Sequence, residues 1–335
     1  MTKRSLLLLV FLAAPADASV WDRALQSPED EAARDLYDAK MLEGDTATLT
    51  ATIQSSSIAS NLESIRRAEA AYRAAATARP REAEPYYRIA NLLYQMYYNC
   101  EASYVQLPTC DPNNMARADA VITAWEQFES RAPLDPRVID FLPARALLHT
   151  KLIEGAPSDH RHLEKAAADY RAALERGDGL SATRADESLL GNLAETYMML
   201  DQLDDAIASY YRAIAAGAAR VSTVYGLAVA LDRDGSTEQA IRQIQGQGAE
   251  GLDSFTKDCL RRSVFFVPSG ESAYYFALAN EAVGNYGVAL SLWVRYIASG
   301  AHAEFQDRAR EHIETLREKH VHPEPLPSEL NPPPC

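Results

Sequence analysis

Ser254-Phe-Thr-Lys257 sets a hydroxyl three residues ahead of an ammonium group, the S-x-x-K spacing that activates a serine nucleophile in acyl transfer. That chemistry also needs S-D-N and K-T-G elements, and neither triplet occurs, so the match reads as coincidence. His160-Arg-His162 and His320-Val-His322 could each pinch a metal ion. Alternate residues on a helix do not face one another, and no carboxylate or thiol completes a ligand set at readable spacing, so solvated imidazoles are expected. Asp232-Arg-Asp234-Gly235 has the first residues of a calcium loop without the rest of its twelve-residue pattern. It reads as a turn. No G-x-S-x-G, H-E-x-x-H or Walker-type loop is present. No catalytic residue, metal site or cofactor is therefore expected, and the chain is not expected to be an enzyme. A hydrolytic site within 255–268 or under the cysteine-bracketed loop is the least favoured alternative.

The elements that carry these residues repeat. Leu190, Leu193, Ala194, Tyr197, Ala206, Tyr210 and Ala213 carry one apolar pattern, and Val224, Leu227, Ala228, Leu231, Ala240 and Ile244 repeat it after a shift of 34 residues. Small residues at fixed places let two helices approach closely, and large ones fill the space between neighbouring pairs. In spacing and length the chain resembles the tetratricopeptide (TPR) repeat family, of the exported bacterial type. The resemblance implies an all-α fold: a right-handed α-solenoid of antiparallel helix pairs, about six TPR-like units over 19–320, with a C-terminal capping helix. The units are placed near 28–82, 83–136, 137–180, 187–220, 221–254 and 270–303.

The first unit is irregular. Its first helix is expected over Pro28 to Leu42, ending near Gly44, with Ser- and Thr-rich residues 45–60 as a loop or a poor extra helix. The capping helix is expected at 302–319, with Phe305, Ala309, Ile313 and Leu316 on one face. Six prolines between 323 and 334 predict an extended, disordered tail over 321–335. The segment 255–268 breaks the period. It is expected to tuck its aromatics under the last unit, the alternative being a binding loop.

Residues 1–18 combine a basic start, an apolar run from Leu6 to Ala14 and the small-x-small site Ala16-Asp17-Ala18, which predicts a signal peptide cleaved near Ala18. The apolar run is too short to span a bilayer, so stable membrane insertion is not expected and the mature protein is assigned to the periplasm or the extracellular space. A net charge of −14 repels phosphate backbones, which argues against nucleic acid as a partner. Of the four cysteines, Cys100 and Cys110 bracket a short loop and are expected to pair in an oxidising compartment; a Cys259–Cys335 bridge is the remainder.

By family position, the concave face presents Tyr87, Asn91, Tyr94, Glu195, Met198, Tyr225, Asp232, Tyr274 and Glu281. Tyrosine and methionine suit adaptable contacts, and the acidic members favour a basic or aromatic-containing polypeptide over a carboxylate tail. The resemblance thus implies a protein or peptide partner and a scaffold or adaptor role in an envelope assembly. The rival reading is a structural component that self-associates or docks on an outer-membrane protein through 255–268. The sequence does not fix the oligomeric state.

Overall fold

The computed structural model describes residues 28–53, 58–102, 115–152, 160–176, 184–217, 220–248, 250–260 and 269–331. Among these, fourteen α-helices and no strands are present, so the protein is all-α. They are α1 (Pro28–Ile53), α2 (Ile58–Ala78), α3 (Glu84–Ala102), α4 (Met115–Arg131), α5 (Arg137–Leu152), α6 (Arg161–Arg176) and α7 (Arg184–Met199). The remainder are α8 (Leu203–Ala215), α9 (Val221–Arg233), α10 (Thr237–Gln245), α11 (Gly251–Leu260), α12 (Ser272–Ala282), α13 (Tyr286–Ser299) and α14 (Gln306–Glu318). The helices fall into two units that divide between residues 92 and 93, within α3.

In the first unit α1 pairs with α2. Here the structure differs from the sequence expectation, because α1 continues through Gly44 to Ile53. Two local causes explain it. The hydroxyls of Thr46, Thr48 and Thr50 donate back to the carbonyls of Leu42, Gly44 and Thr46 at 2.8, 3.0 and 2.8 Å, so these polar side chains are satisfied within the helix. Gly44 sits where Tyr72 of α2 crosses: a Cβ there would come within 2.4 Å of the ring. The Tyr72 hydroxyl then reaches Asp45 Oδ1 at 2.8 Å. The glycine marks a close helix crossing and not a helix end.

In the second unit, neighbours in sequence pair in space: α5 with α6, α7 with α8, α9 with α10, and α12 with α13, each hairpin touching the next. The residues that define the 34-residue period are its core, with Leu190, Leu193, Ala194, Ala206, Tyr210 and Ala213 buried in one hairpin and Val224, Leu227, Ala228, Leu231, Ala240 and Ile244 in the next. One turn recurs. Asp201, Gly235 and Gly284 take left-handed φ values of +56°, +87° and +86°. The following N–H in each case closes on the carbonyl five residues back: Gln202 on Tyr197, Ser236 on Leu231 and Asn285 on Asn280, at 2.9, 2.8 and 2.9 Å. The calcium-like Asp232–Gly235 stretch is thus a helix terminus. α14 ends the same way, with His320 at +58° and Val321 N–H on Leu316.

Beyond that turn the described residues form no further α-helix, only a 3-10 turn at Ser328–Leu330, since proline cannot supply the N–H groups. Residues 321–331 instead lie along α13, where the sequence led us to expect no order. Glu324 N–H bonds Gly287 O at 3.1 Å, Ser291 Oγ donates to Glu324 O at 2.6 Å, and Arg295 Nη1 reaches Asn331 Oδ1 at 2.8 Å. A Cβ on Gly287 would lie 2.5 Å from Glu324, and Leu330 is buried in the core. Proline stiffness here favours docking, because an already extended segment loses less entropy when it binds.

Candidate functional site

Nearly every side chain of α9 from Val224 onward is buried, so the polar residues at its C-terminal end must find partners inside the protein. Asp232 is fully buried. Its carboxylate accepts hydrogen bonds from Tyr274 Oη at 2.7 Å and Thr237 Oγ1 at 2.8 Å, faces His312 Nε2 at 3.0 and 3.1 Å, and receives Arg308 Nη2 at 3.2 Å. The other ring nitrogen of His312 lies 2.9 Å from Glu281 Oε2, which also accepts from Trp293 Nε1 at 3.0 Å. The imidazole stacks on the Trp293 indole, with ring centres 4.4 Å apart. Burial alone would lower the His312 pKa, but hydrogen bonds and charge from Asp232 and Glu281 outweigh it and raise the value to about 9. The same contacts outweigh burial at Asp232 and hold its carboxyl below the usual range.

Next to this cluster, Arg233 is sandwiched between the rings of Tyr274 and Phe305, at 4.5 and 4.0 Å from their centroids, and pairs with buried Glu271. A third carboxylate, Glu195 of α7, accepts from Tyr210 at 2.5 Å and Tyr275 at 2.8 Å. Burial pushes its carboxyl upward. Gly226 permits this arrangement, since a Cβ there would sit 2.4 Å from the Tyr210 hydroxyl.

A second polar focus ties α4, α5 and α6. Buried Arg145 donates to Glu129 at 2.6 Å and, in a fork, to both Asp169 oxygens at 2.7 Å. Four residues on, His149 Nδ1 lies 2.9 Å from His162 Nδ1. Burial, reinforced by the positive charges of His162, Lys165 and Arg145, lowers the His149 pKa to about 3.

These positions revise the partner-contact assignment. Met198, Tyr225, Asp232, Tyr274 and Glu281 are buried and bonded or packed within the chain, and Glu195 is half-buried under two tyrosines. The cause is cover that repeat register does not reveal. α11 lays fully buried Phe255 on Tyr225, Tyr275 and Phe276, with ring centres 4.8, 6.1 and 5.1 Å apart. α14 lays Arg308 and His312 on the acidic pair. Asp232, Tyr274 and Glu281 come together; the other assigned residues do not join them. Tyr87, Asn91 and Tyr94 are half-buried on α3, and Tyr94 meets Trp125 at 5.2 Å.

Arg233, Tyr275, His302 and His312 were not assigned a role from the sequence. A clue existed for His312, which falls on the Phe305–Ala309–Ile313–Leu316 stripe, where a polar side chain must be buried with partners. Of the motifs weighed for chemistry, Lys257 Nζ is taken up by Asp253, one turn back on the same helix, at 2.6 Å. His160, His320 and His322 are exposed, and His162 finds His149 in place of His160. Among the described residues no three His, Cys, Asp or Glu side chains are grouped to hold a metal, and no helix is long and apolar enough to cross a membrane.

The expected Cys100–Cys110 bridge, the signal peptide and residues 264–267 lie outside the described residues. Cys259 is buried and disulfide-bonded. We expect Cys259 to resist alkylation in the unfolded, unreduced chain and to label fully after reduction, read by peptide mass spectrometry. Labelling without reductant would disprove the bridge.

No family model matches the chain, and no curated protein matches it in sequence. Among solved structures it is similar to the crystal structure of MamA protein, at 14% identity over 70% of this chain and 99% of that one, with a TM-score of 0.38. That score is too low to build on, so the all-α assignment rests on the helix pairing itself.

Proposed function

We propose that the chain is a non-enzymatic helical-repeat protein that binds a polypeptide as a scaffold or adaptor in an exported, periplasmic or cell-envelope setting. The observation that carries this reading is the reuse of one hairpin and one turn through α7–α10 and α12–α13, an architecture that multiplies surface without building a reaction centre. The buried ionisable groups support it as well. Asp232 is saturated by four donor side chains and Glu195 by two hydroxyls, leaving neither as a free base or nucleophile.

The test is affinity capture of the full exported chain after mild crosslinking in cells, with fractionation and N-terminal sequencing of the mature form. One polypeptide recovered in every replicate, with a mature start at Ser19, is the expected result. Repeated capture with no recurrent polypeptide would overturn the scaffold reading.

A further inference from the structure

His312 has a carboxylate at each ring nitrogen: Glu281 at 2.9 Å from Nδ1 and Asp232 at 3.0 Å from Nε2. A neutral imidazole has one N–H and one lone pair, so it can satisfy only one of them. With both carboxylates ionised, the geometry requires both nitrogens to carry protons. One turn earlier on the same helix, Arg308 supplies a second cation to Asp232 and also touches Thr237 and Glu311. The apolar face of α14, Ala309, Ile313 and Leu316, would suit any amphipathic helix of similar size. What selects this one is the pair of cations four residues apart, set against two carboxylates on α9 and α12. α14 is reached through His302, a non-glycine residue at φ +40°.

We propose that α14 is a proton-locked, releasable cover, and that the acidic face beneath it, built from Asp232 and Glu281, is a docking site for a cationic amphipathic helix with basic residues one turn apart. This deepens the polypeptide-binding reading and rests on it, since it names the chemistry of the partner and the element that must move. Aspartate and glutamate at inner-face positions called for a basic ligand from the sequence alone; in the structure the chain supplies that ligand itself.

The charged and titratable groups facing His312 are Asp232 on α9, Tyr274 and Glu281 on α12, and Arg308 on α14; α10 and α13 present uncharged Thr237 and Trp293. The folded value of about 9 exceeds the unfolded 6.5, so the protonated contact contributes fully below about pH 6.5 and is lost as pH rises through about 9.

Two measurements on the full chain test this. Hydrogen exchange, corrected for intrinsic rates, should show the protection of 306–318 relative to α9 falling on the order of tens-fold between about pH 7 and pH 9.5. In His312→Gln that segment should be weakly protected at every pH. A labelled synthetic peptide copying residues 303–320 should bind His312→Gln at least about tenfold more tightly than wild type, because it restores the cation its own helix lacks. Adding Glu281→Gln should abolish that gain. Flat protection of α14 across the pH series in wild type would overturn the cover. Absence of peptide binding to a His312→Gln chain with unprotected α14 but protected α9 would overturn the docking site. If the variant fails to fold, the wild-type pH series still decides. The peptide assay needs no cellular partner, so its failure is separable from failure of the capture experiment.

Discussion

Replacing Glu271 by glutamine should destabilise the second unit by about 3–5 kcal/mol, the cost of leaving a buried guanidinium without its counter-charge. Arg233 and Glu271 side chains are 0% and 1% exposed, so water screens neither. The two rings that flank Arg233 hold it in place but cannot neutralise it. His302 approaches the far Glu271 oxygen at only 3.7 Å; that carboxylate raises its pKa against the effect of burial, and an imidazole in either protonation state cannot replace the lost anion. Urea unfolding of wild type and variant measures the effect. Replacing both partners, Arg233→Met with Glu271→Leu, should recover most of the loss, because the penalty belongs to the orphaned charge and not to the missing pair. A loss under about 1 kcal/mol in the single variant would mean the guanidinium already has another counter-ion.

Acid should loosen the α5–α6 hairpin before the rest of the protein. His149 is 1% exposed and held near pKa 3 in the folded chain, against 6.5 when unfolded. A depressed histidine contributes stability that is complete above about pH 6.5 and lost as pH falls towards 3. At pH 5 the linked loss is about 2 kcal/mol, growing as the pH falls further. Proton entry has a direct structural consequence: two imidazoles 2.9 Å apart cannot share a hydrogen bond once both are protonated, and Arg145 and Lys165 add to the repulsion. Hydrogen exchange at pH 7 and pH 5 should show residues 137–152 and 161–176 losing protection relative to 223–231. His149→Gln should remove most of that pH dependence. Uniform acid sensitivity along the chain would show that the histidine pair is not its source.

Those two sites mark the limits of what the sequence disclosed. The paired helices from Leu190 to Ile244 were legible because their apolar spacing is both local and repeated, and each of those positions except Tyr197 is buried. Helix α1 was misread past Gly44, since glycine and threonine are ambiguous until the partner is known, and the Tyr72 ring decides it. For Asp232, Tyr274 and Glu281, register assigned a side of the helix but could not say that α14 pairs with Asp232 and Glu281. The Arg233–Glu271 pair spans 38 residues and the His312–Asp232 contact 80, distances at which no repeat pattern links a charge to its partner.

The segment after His320 has a further consequence. By lying on Gly287, Ser291 and Arg295 it seals one flank of the final hairpin with a proline-rich segment that has few amides to offer a neighbour. A repeat array left open there would invite another molecule to continue the stack; this one carries its own terminator, which limits growth into fibres from that flank. Shortening the chain before Glu324 would remove its bonds to Gly287 and Ser291 and reopen that flank.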